Sequence, residues 1–151
     1  MALADDINLL SQVPLFGDMD GDQLRLIAFG AERRTIAAGQ ALFREHSPAE
    51  CAFVVVHGHF QLSTLGRDGK LHAEAEAGAG TLLSELALVT MVERKYTAIA
   101  MEDSEALRIT RALFHRLLEE YPQAARILEN RIRDNLLTMA KAAAAMEHRF
   151  N

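Results

Sequence analysis

The stretch that most constrains this chain runs from Gly78 to Thr97 and reads GAGTLLSELALVTMVERKYT. It opens with Gly78 and Gly80, residues at which a backbone can turn sharply or lie close to a ligand, although such pairs also occur in ordinary turns. Ser84 is a favourable residue for capping a helix N-terminus, so the pattern predicts a short helix immediately after it. The free N–H groups and positive dipole end of that helix would suit an anion.

Two charged side chains follow within the same stretch. Glu85 carries acceptors that suit a hydroxyl group, and the planar guanidinium of Arg94 suits a phosphate. Taken alone, the two would form an ordinary surface ion pair, worth about 0–1 kcal/mol. Together with the glycines and the short helix, they favour a ligand site.

The order of these residues resembles the phosphate-binding cassette of the cyclic nucleotide-binding domain family, roughly G-x-G-x-x-x-G-E-x-A-L, a short loop, and R-x-A-T. The resemblance implies that Glu85 binds the ribose 2′-hydroxyl of cAMP or cGMP and that Arg94 binds the exocyclic phosphate oxygens. Backbone N–H groups near Ser84 and Tyr96 would complete the phosphate site. The ligand-binding residues implied in this way are Gly78, Gly80, Leu83, Ser84, Glu85, Leu86, Ala87, Arg94, Lys95, Tyr96 and Thr97.

Three residues depart from the family pattern. Ser84 stands where the family has a glycine, so its Cβ would lie near the phosphate, where its hydroxyl could instead donate a hydrogen bond. Tyr96 replaces a small residue, and its ring would either turn into the core or narrow the pocket. His46 also stands at a usual glycine position, where a positive φ would be strained.

Composition limits the classes of protein to consider. The 151 residues, 50% hydrophobic and 25% charged, fit one soluble globular domain. No apolar run is long enough to span a membrane, and the acidic start MALADDINLL does not resemble a signal peptide. The lone Cys51 suits packing in a reducing cytoplasm, and the net charge of −5 without a basic run argues against direct DNA binding.

The remaining patterns predict a mainly β protein with flanking helices. Short apolar strands with turns at this spacing are typical of a sandwich or barrel, and the resemblance implies a jelly-roll β-barrel with N-terminal helices and two C-terminal helices. Gly39 and Gly58 fall at turn positions of that fold, and Gly66 to Gly69 predicts a hairpin. The predicted helices cover residues 5–12, 20–29, 110–120 and 122–147, and the predicted strands cover residues 34–36, 41–43, 52–56, 60–65, 71–77, 97–101 and 105–109.

These elements form a single domain over residues 1–151, and the resemblance covers about residues 8–140. Its parts are N-terminal helices (1–30), a β-roll (33–109) with the cassette (78–97), and C-terminal helices (110–148). The family's transcription factors continue into a helix-turn-helix domain. Because the sequence starts with Met1 and ends without a linker pattern, we expect a stand-alone Crp/Fnr-like sensor module rather than a fragment of a regulator.

The last helix carries an apolar seam with heptad spacing. The spacing predicts a homodimer through this helix, and the alternative is packing on the chain's own barrel. In the family's bacterial transcription factors this helix forms the dimer axis and covers the nucleotide base. Arg131, Asn135 and Thr138 could reach a purine edge, although a solvated face is the favoured interpretation of each. The seam consists of Ile132, Leu136, Met139, Ala143, Met146 and Phe150.

Three functions compete. The first is a sensor that binds cAMP or cGMP and signals to an unknown partner protein through its last two helices. The second is a degenerate domain that has lost its ligand and serves protein interaction. The third is a metal enzyme, because His57-Gly58-His59 resembles the cupin His-x-His motif, but Ser63 and Thr64 stand where its glutamate belongs. We expect no catalysis, no metal and no cofactor.

Overall fold

The computed structural model describes the backbone of residues 2–150 and the side chains of residues 3–138. Four α-helices occur, α1 (Ala2–Ser11), α2 (Gly21–Gly30), α3 (Arg111–Glu120) and α4 (Pro122–Phe150), together with 3₁₀ helices at Pro14–Phe16 and Glu85–Leu88. We name the second 3₁₀ helix the cassette helix. The strands are β1 (Glu32–Ile36), β2 (Ala41–Phe43), β3 (Pro48–Ala49), β4 (Cys51–His57), β5 (Phe60–Leu65), β6 (Leu71–Ala77), β7 (Leu82–Leu83), β8 (Val92–Glu93), β9 (Thr97–Ala100) and β10 (Ser104–Thr110).

The strands form two four-stranded antiparallel sheets. One has the order β1-β10-β4-β7 and the other the order β2-β9-β5-β6, while β3 and β8 form a separate pair. Strands adjacent in each sheet are mostly distant in the chain, as in a jelly roll. The predicted fold class, a jelly-roll barrel between N-terminal and C-terminal helices, is confirmed.

Strand β4 has apolar side chains on both faces. Ala52 and Val54 pack with the helices, whereas Cys51, Phe53 and Val55 face the interior of the barrel. Successive side chains of a strand point to opposite faces, so a continuous apolar run is required here. The sheet therefore separates a helix-side core from a barrel core. The helix-side core includes Leu10, Phe16, Leu24, Phe114, Leu117, Leu128 and Ile132.

The helices begin at residues that the sequence indicates. Asp20 and Gln23 form a capping box at the start of α2, with 2.9 Å from the Gln23 backbone N–H to the Asp20 carboxylate. Thr110 accepts a bond of 3.1 Å from the backbone N–H of Leu113, and Pro122 opens α4. Helix α1 starts earlier than the predicted residue 5. None of the described helices combines the length and apolarity needed to cross a membrane.

The two-residue strands β3, β7 and β8 were not predicted as strands. Each is too short to show an alternating pattern, and each is held by pairing with a strand distant in sequence. The β3–β8 pair is closed by His46, whose φ is 70° and whose backbone N–H donates to the Arg94 carbonyl at 2.8 Å. The strained backbone expected at His46 is therefore present.

Candidate functional site

The cassette starts with a tight turn fixed against β4. Gly80 has a φ of 86°, and its N–H donates to the Val55 carbonyl at 2.8 Å. The N–H of Thr81 donates a hydrogen bond to the Gly78 carbonyl at 3.2 Å. A side chain at Gly80 would meet no neighbour, so the positive φ alone requires glycine there.

Ser84 precedes the cassette helix, but it does not cap it as predicted. Its φ and ψ are 65° and 47°, and its side chain makes no capping hydrogen bond. A capping side chain needs an extended backbone, and Ser84 is instead in the left-handed region. The prediction of a short helix was right, while the proposed side-chain cap was wrong. The left-handed conformation gives the residue the geometry for which glycine is best suited.

A cavity of about 340 Å³ lies beside the cassette helix. Its volume is at the lower end of the range of small-molecule sites, roughly 300–1,000 Å³. Apolar side chains form most of its wall, and Glu85, Glu93 and Lys95 supply its charged groups. The lining residues are Phe43, Leu62, Thr81, Leu82, Leu83, Ser84, Glu85, Leu86, Val92, Glu93, Lys95 and Tyr96.

The structure brings together about half of the predicted ligand residues. Leu83, Ser84, Glu85, Leu86, Lys95 and Tyr96 line the cavity, whereas Gly78, Gly80, Ala87, Arg94 and Thr97 do not. The glycines shape the turn, and Ala87 is the fully buried residue on the inner side of the cassette helix. The ligand roles of all these residues remain predictions.

Glu85 faces helix α4 in this structure. The side-chain amide of Asn135 donates to its two carboxylate oxygens at 3.2 and 3.1 Å. The carboxylate therefore contacts the C-terminal helix across the cavity's edge. Of the three α4 residues suggested for a purine edge, Asn135 is the one that contacts the cassette.

Arg94 is a buried cation that pairs with no charged group of residues 3–138. The residue is 5% exposed, and its guanidinium carbon lies 4.6 Å from the centre of the Phe43 ring and 5.4 Å from that of Phe53. One terminal nitrogen donates to the Cys51 sulfur at 3.3 Å, and among the described residues the other has no hydrogen-bond partner. Arg94 forms no ion pair with Glu85 within the described part of the chain.

Arg94 lines a second cavity of about 290 Å³. Arg108 and Glu50 line the same space, and Phe43 lines both this cavity and the one beside the cassette helix. A buried cation is costly unless an anion or polar group compensates it. The arrangement is therefore suited to an anion.

Comparison with known proteins agrees with this geometry. The sequence profile of the cyclic nucleotide-binding domain matches residues 33–121, more than half of the chain. The chain therefore belongs to the cyclic nucleotide-binding domain family.

Two solved structures and one curated protein illustrate the relationship. A cyclic nucleotide-binding-like protein from Brucella abortus is 42% identical, with a TM-score of 0.70 over 76% of this chain and 98% of that one. The N-terminal domain of a transcriptional regulator from Streptomyces coelicolor is 26% identical, with a TM-score of 0.82 over 89% and 94%. Lysophospholipase NTE1 of Chaetomium globosum is 32% identical over 111 residues, which are 71% of this chain, and the match spans 7% of that enzyme's length.

In this cyclic nucleotide-binding domain, Tyr96 takes both of the positions considered for it. It packs against the barrel core and also lines the cassette cavity. The adjacent Thr97 is buried, and its hydroxyl accepts a bond of 3.0 Å from the Glu45 backbone N–H. Thr97 thus fixes the end of the cassette to the turn between β2 and β3.

Arg111 is a residue of the site that the sequence reasoning missed. Its guanidinium donates to the carbonyls of Ala87, Ala49 and Thr90 at 2.9, 2.9 and 2.8 Å. The only sequence signal is an arginine directly after the cap of a helix, and that position carries no motif. The contact depends on how α3 packs against the cassette.

Other candidate residues have different partners. Arg131 donates to the carbonyls of Pro14 and Leu15 and pairs with Asp18, and Thr138 donates to the Asp134 carbonyl. His57 pairs with Glu105 and His59 with Glu76, and no cluster of metal-ligand residues occurs among the described residues. Of the heptad seam, Ile132 is buried and Leu136 is half-exposed, while the side chains from Met139 onward lie outside the described residues.

Proposed function

We propose that this domain is a non-catalytic sensor that binds cAMP or cGMP beside its cassette helix. The observation that carries the proposal is the buried Arg94. The residue is 5% exposed, its guanidinium contacts two aromatic rings and a thiol, and no anionic group of the described residues pairs with it. An arginine in such surroundings is stabilised by a ligand phosphate, which can take two parallel hydrogen bonds from it. Family membership names the class of ligand.

The cavity supports a mode of binding in which the two ends of the nucleotide meet different groups. Phe43 lies between the cassette cavity and the guanidinium, so we assign the phosphate to the Phe43 end. Glu85 would accept a hydrogen bond from the ribose hydroxyl, in place of the Asn135 amide. The apolar wall would take the base.

The signal would pass through Leu86. This cassette residue lines the ligand cavity and also a third cavity, of about 350 Å³. Leu118 of α3 and Ile132 and Leu136 of α4 line that third cavity as well. A ligand that shifts the cassette helix would change how these two helices pack. We further propose that α4 carries the signal to an unknown partner protein and pairs with a second copy of itself. The single cysteine favours a reducing compartment such as the cytoplasm.

The direct test is calorimetric titration of the full chain with cAMP and then with cGMP. One nucleotide should bind per chain, and free ligand at about 100 times its Kd should stabilise the fold by about 2.7 kcal/mol. Arg94→Ala and Glu85→Gln should each weaken binding by about 10- to 100-fold, as expected for lost hydrogen bonds to charged groups. Arg116→Ala is the matched control, because its side chain is 67% exposed and pairs with Glu120 on the protein surface.

A second function has its own supporting observations. Ser84 and Tyr96, which replace smaller residues of the family pattern, line the cavity, and Arg94 does not line it. A domain that had lost its ligand would show no heat and no thermal shift with either nucleotide. That result would reject the sensor and favour an interaction module that acts through its helices.

A further inference from the structure

Arg111 holds together three segments that are distant in the chain. Its Nε atom donates to the carbonyl of Ala87 in the cassette helix, and its Nη2 atom donates to Thr90, just beyond that helix, and to Ala49 in β3. Its own backbone N–H donates to the Glu50 carbonyl at 3.0 Å. One side chain thus joins α3, the cassette helix and the β3–β8 pair.

The carbonyl acceptors belong to backbone that needs a partner. The last carbonyls of a helix accept no hydrogen bond from an N–H group of that helix. A cation near them also interacts favourably with the helix dipole. The cassette helix is only four residues long and is therefore weakly stable by itself. The planar fork of arginine reaches carbonyls in different directions, which a lysine ammonium on a flexible stem does not reproduce.

The third acceptor connects this contact to Arg94. Ala49 pairs with Val92 across the β3–β8 ladder, and the Arg94 backbone N–H donates to Ser47 at 2.9 Å in the segment leading to that ladder. A change at Arg111 would therefore act on both the helix that carries Glu85 and the strand that leads to Arg94.

We propose that Arg111 is a positioning residue that sets the cassette in its ligand-binding geometry and couples it mechanically to helix α3. The part of this inference that concerns affinity rests on the proposed nucleotide binding. The part that concerns the order of the cassette does not. Arg111 touches no ligand in this scheme and acts through the backbone of Ala87, Thr90 and Ala49.

The test compares the wild-type chain with Arg111→Gln, Arg111→Lys and the surface control Arg116→Gln on the same helix. Hydrogen–deuterium exchange without nucleotide would follow the cassette amides of Ala87, Val89 and Thr90, which bond within the cassette. Titration with cAMP and cGMP would measure affinity below the unfolding transition. Exchange in the β5–β6 hairpin serves as the reference for global stability.

In Arg111→Gln we expect faster exchange at the cassette amides, unchanged exchange in the hairpin, and affinity lower by about 5- to 150-fold, the usual range of coupling between sites. Arg111→Lys should not restore the slow cassette exchange, because a single ammonium cannot hold all three carbonyls. Arg116→Gln should match the wild type in every measurement.

Two results of the exchange experiment would overturn the proposal. One is cassette exchange in Arg111→Gln that equals the wild type, and the other is acceleration of the same size in the hairpin, which would indicate only global destabilisation. If the wild type binds neither nucleotide, the proposed function fails, and the exchange data still decide the role of Arg111. If it binds and Arg111→Gln binds equally well, the positioning role is rejected.

Discussion

The side-chain amide of Asn135 bonds both carboxylate oxygens of Glu85, at 3.2 and 3.1 Å. The contact joins helix α4 to the cassette at the group that we assign to the ribose hydroxyl. The ligand hydroxyl and Asn135 would therefore compete for one acceptor. Ligand binding would release this contact between α4 and the cassette.

Asn135→Ala should bind cyclic nucleotide more tightly than the wild type. The substitution frees the Glu85 carboxylate, and a gain of about two- to tenfold corresponds to one hydrogen bond of ordinary net strength. Calorimetric titration measures the change, with the exposed Asn130→Ala on the same helix as control. Weaker binding by Asn135→Ala would instead make Asn135 a ligand contact.

Arg94→Met should separate stability from binding. Methionine fills a similar volume against Phe43 and Phe53 without a charge, and replacement of buried charged groups by apolar ones is often neutral or stabilising by about 1–4 kcal/mol. Urea unfolding of the ligand-free chain should therefore show equal or higher stability, while nucleotide affinity falls. A marked loss of stability would mean that the guanidinium already has adequate partners.

Ser84→Gly should stabilise the fold and change nucleotide affinity, because Ser84 has a φ of 65° and lines the cavity. Relief of left-handed strain is worth about 1–2 kcal/mol, and the entropy of glycine takes back about 0.5–1 kcal/mol. His46→Gly is the matched comparison, since His46 has a φ of 70° but lies outside that cavity. The midpoint temperature of thermal unfolding should rise for both variants. Only Ser84→Gly should change the nucleotide affinity measured by titration. Equal affinities of Ser84→Gly and the wild type would show that Ser84 does not contribute to nucleotide binding.

Gly58→Ala should be more destabilising than Gly39→Ala. Both glycines have a positive φ, 92° and 85°, which costs another residue about 1–2 kcal/mol. A Cβ at Gly58 would also lie 2.1 Å from the Ser104 hydroxyl oxygen, whereas one at Gly39 would meet no atom within 4 Å. Denaturant unfolding should show an additional cost at Gly58 of about 1–3 kcal/mol for this overpacking. Equal losses in the free energy of unfolding would show that the backbone around Ser104 shifts at little energetic cost.

Most of the fold follows from local signals in the sequence. The apolar run around Val54 predicts a strand, and Asp20, Thr110 and Pro122 mark the helix starts. The three shortest strands could not be predicted in this way. Their pairing depends on tertiary contacts rather than on two residues of pattern.

The site was predictable only where chain order decides the geometry. Leu83 to Leu86 line the cavity because they form one short continuous segment. The direction of the Arg94 side chain depends on Phe43 and Phe53 from other strands, and the contacts of Arg111 and Asn135 depend on helix packing. Spacing in the sequence carries no information about such contacts.

The alternation along β4 also bears on how domains of this kind diverge. Val54 belongs to the helix-side core, and its neighbours Phe53 and Val55 belong to the barrel core. Mutations at alternate positions of one strand can therefore alter the packing of the helices or the packing of the barrel core separately. Divergence of one core would leave the other core intact.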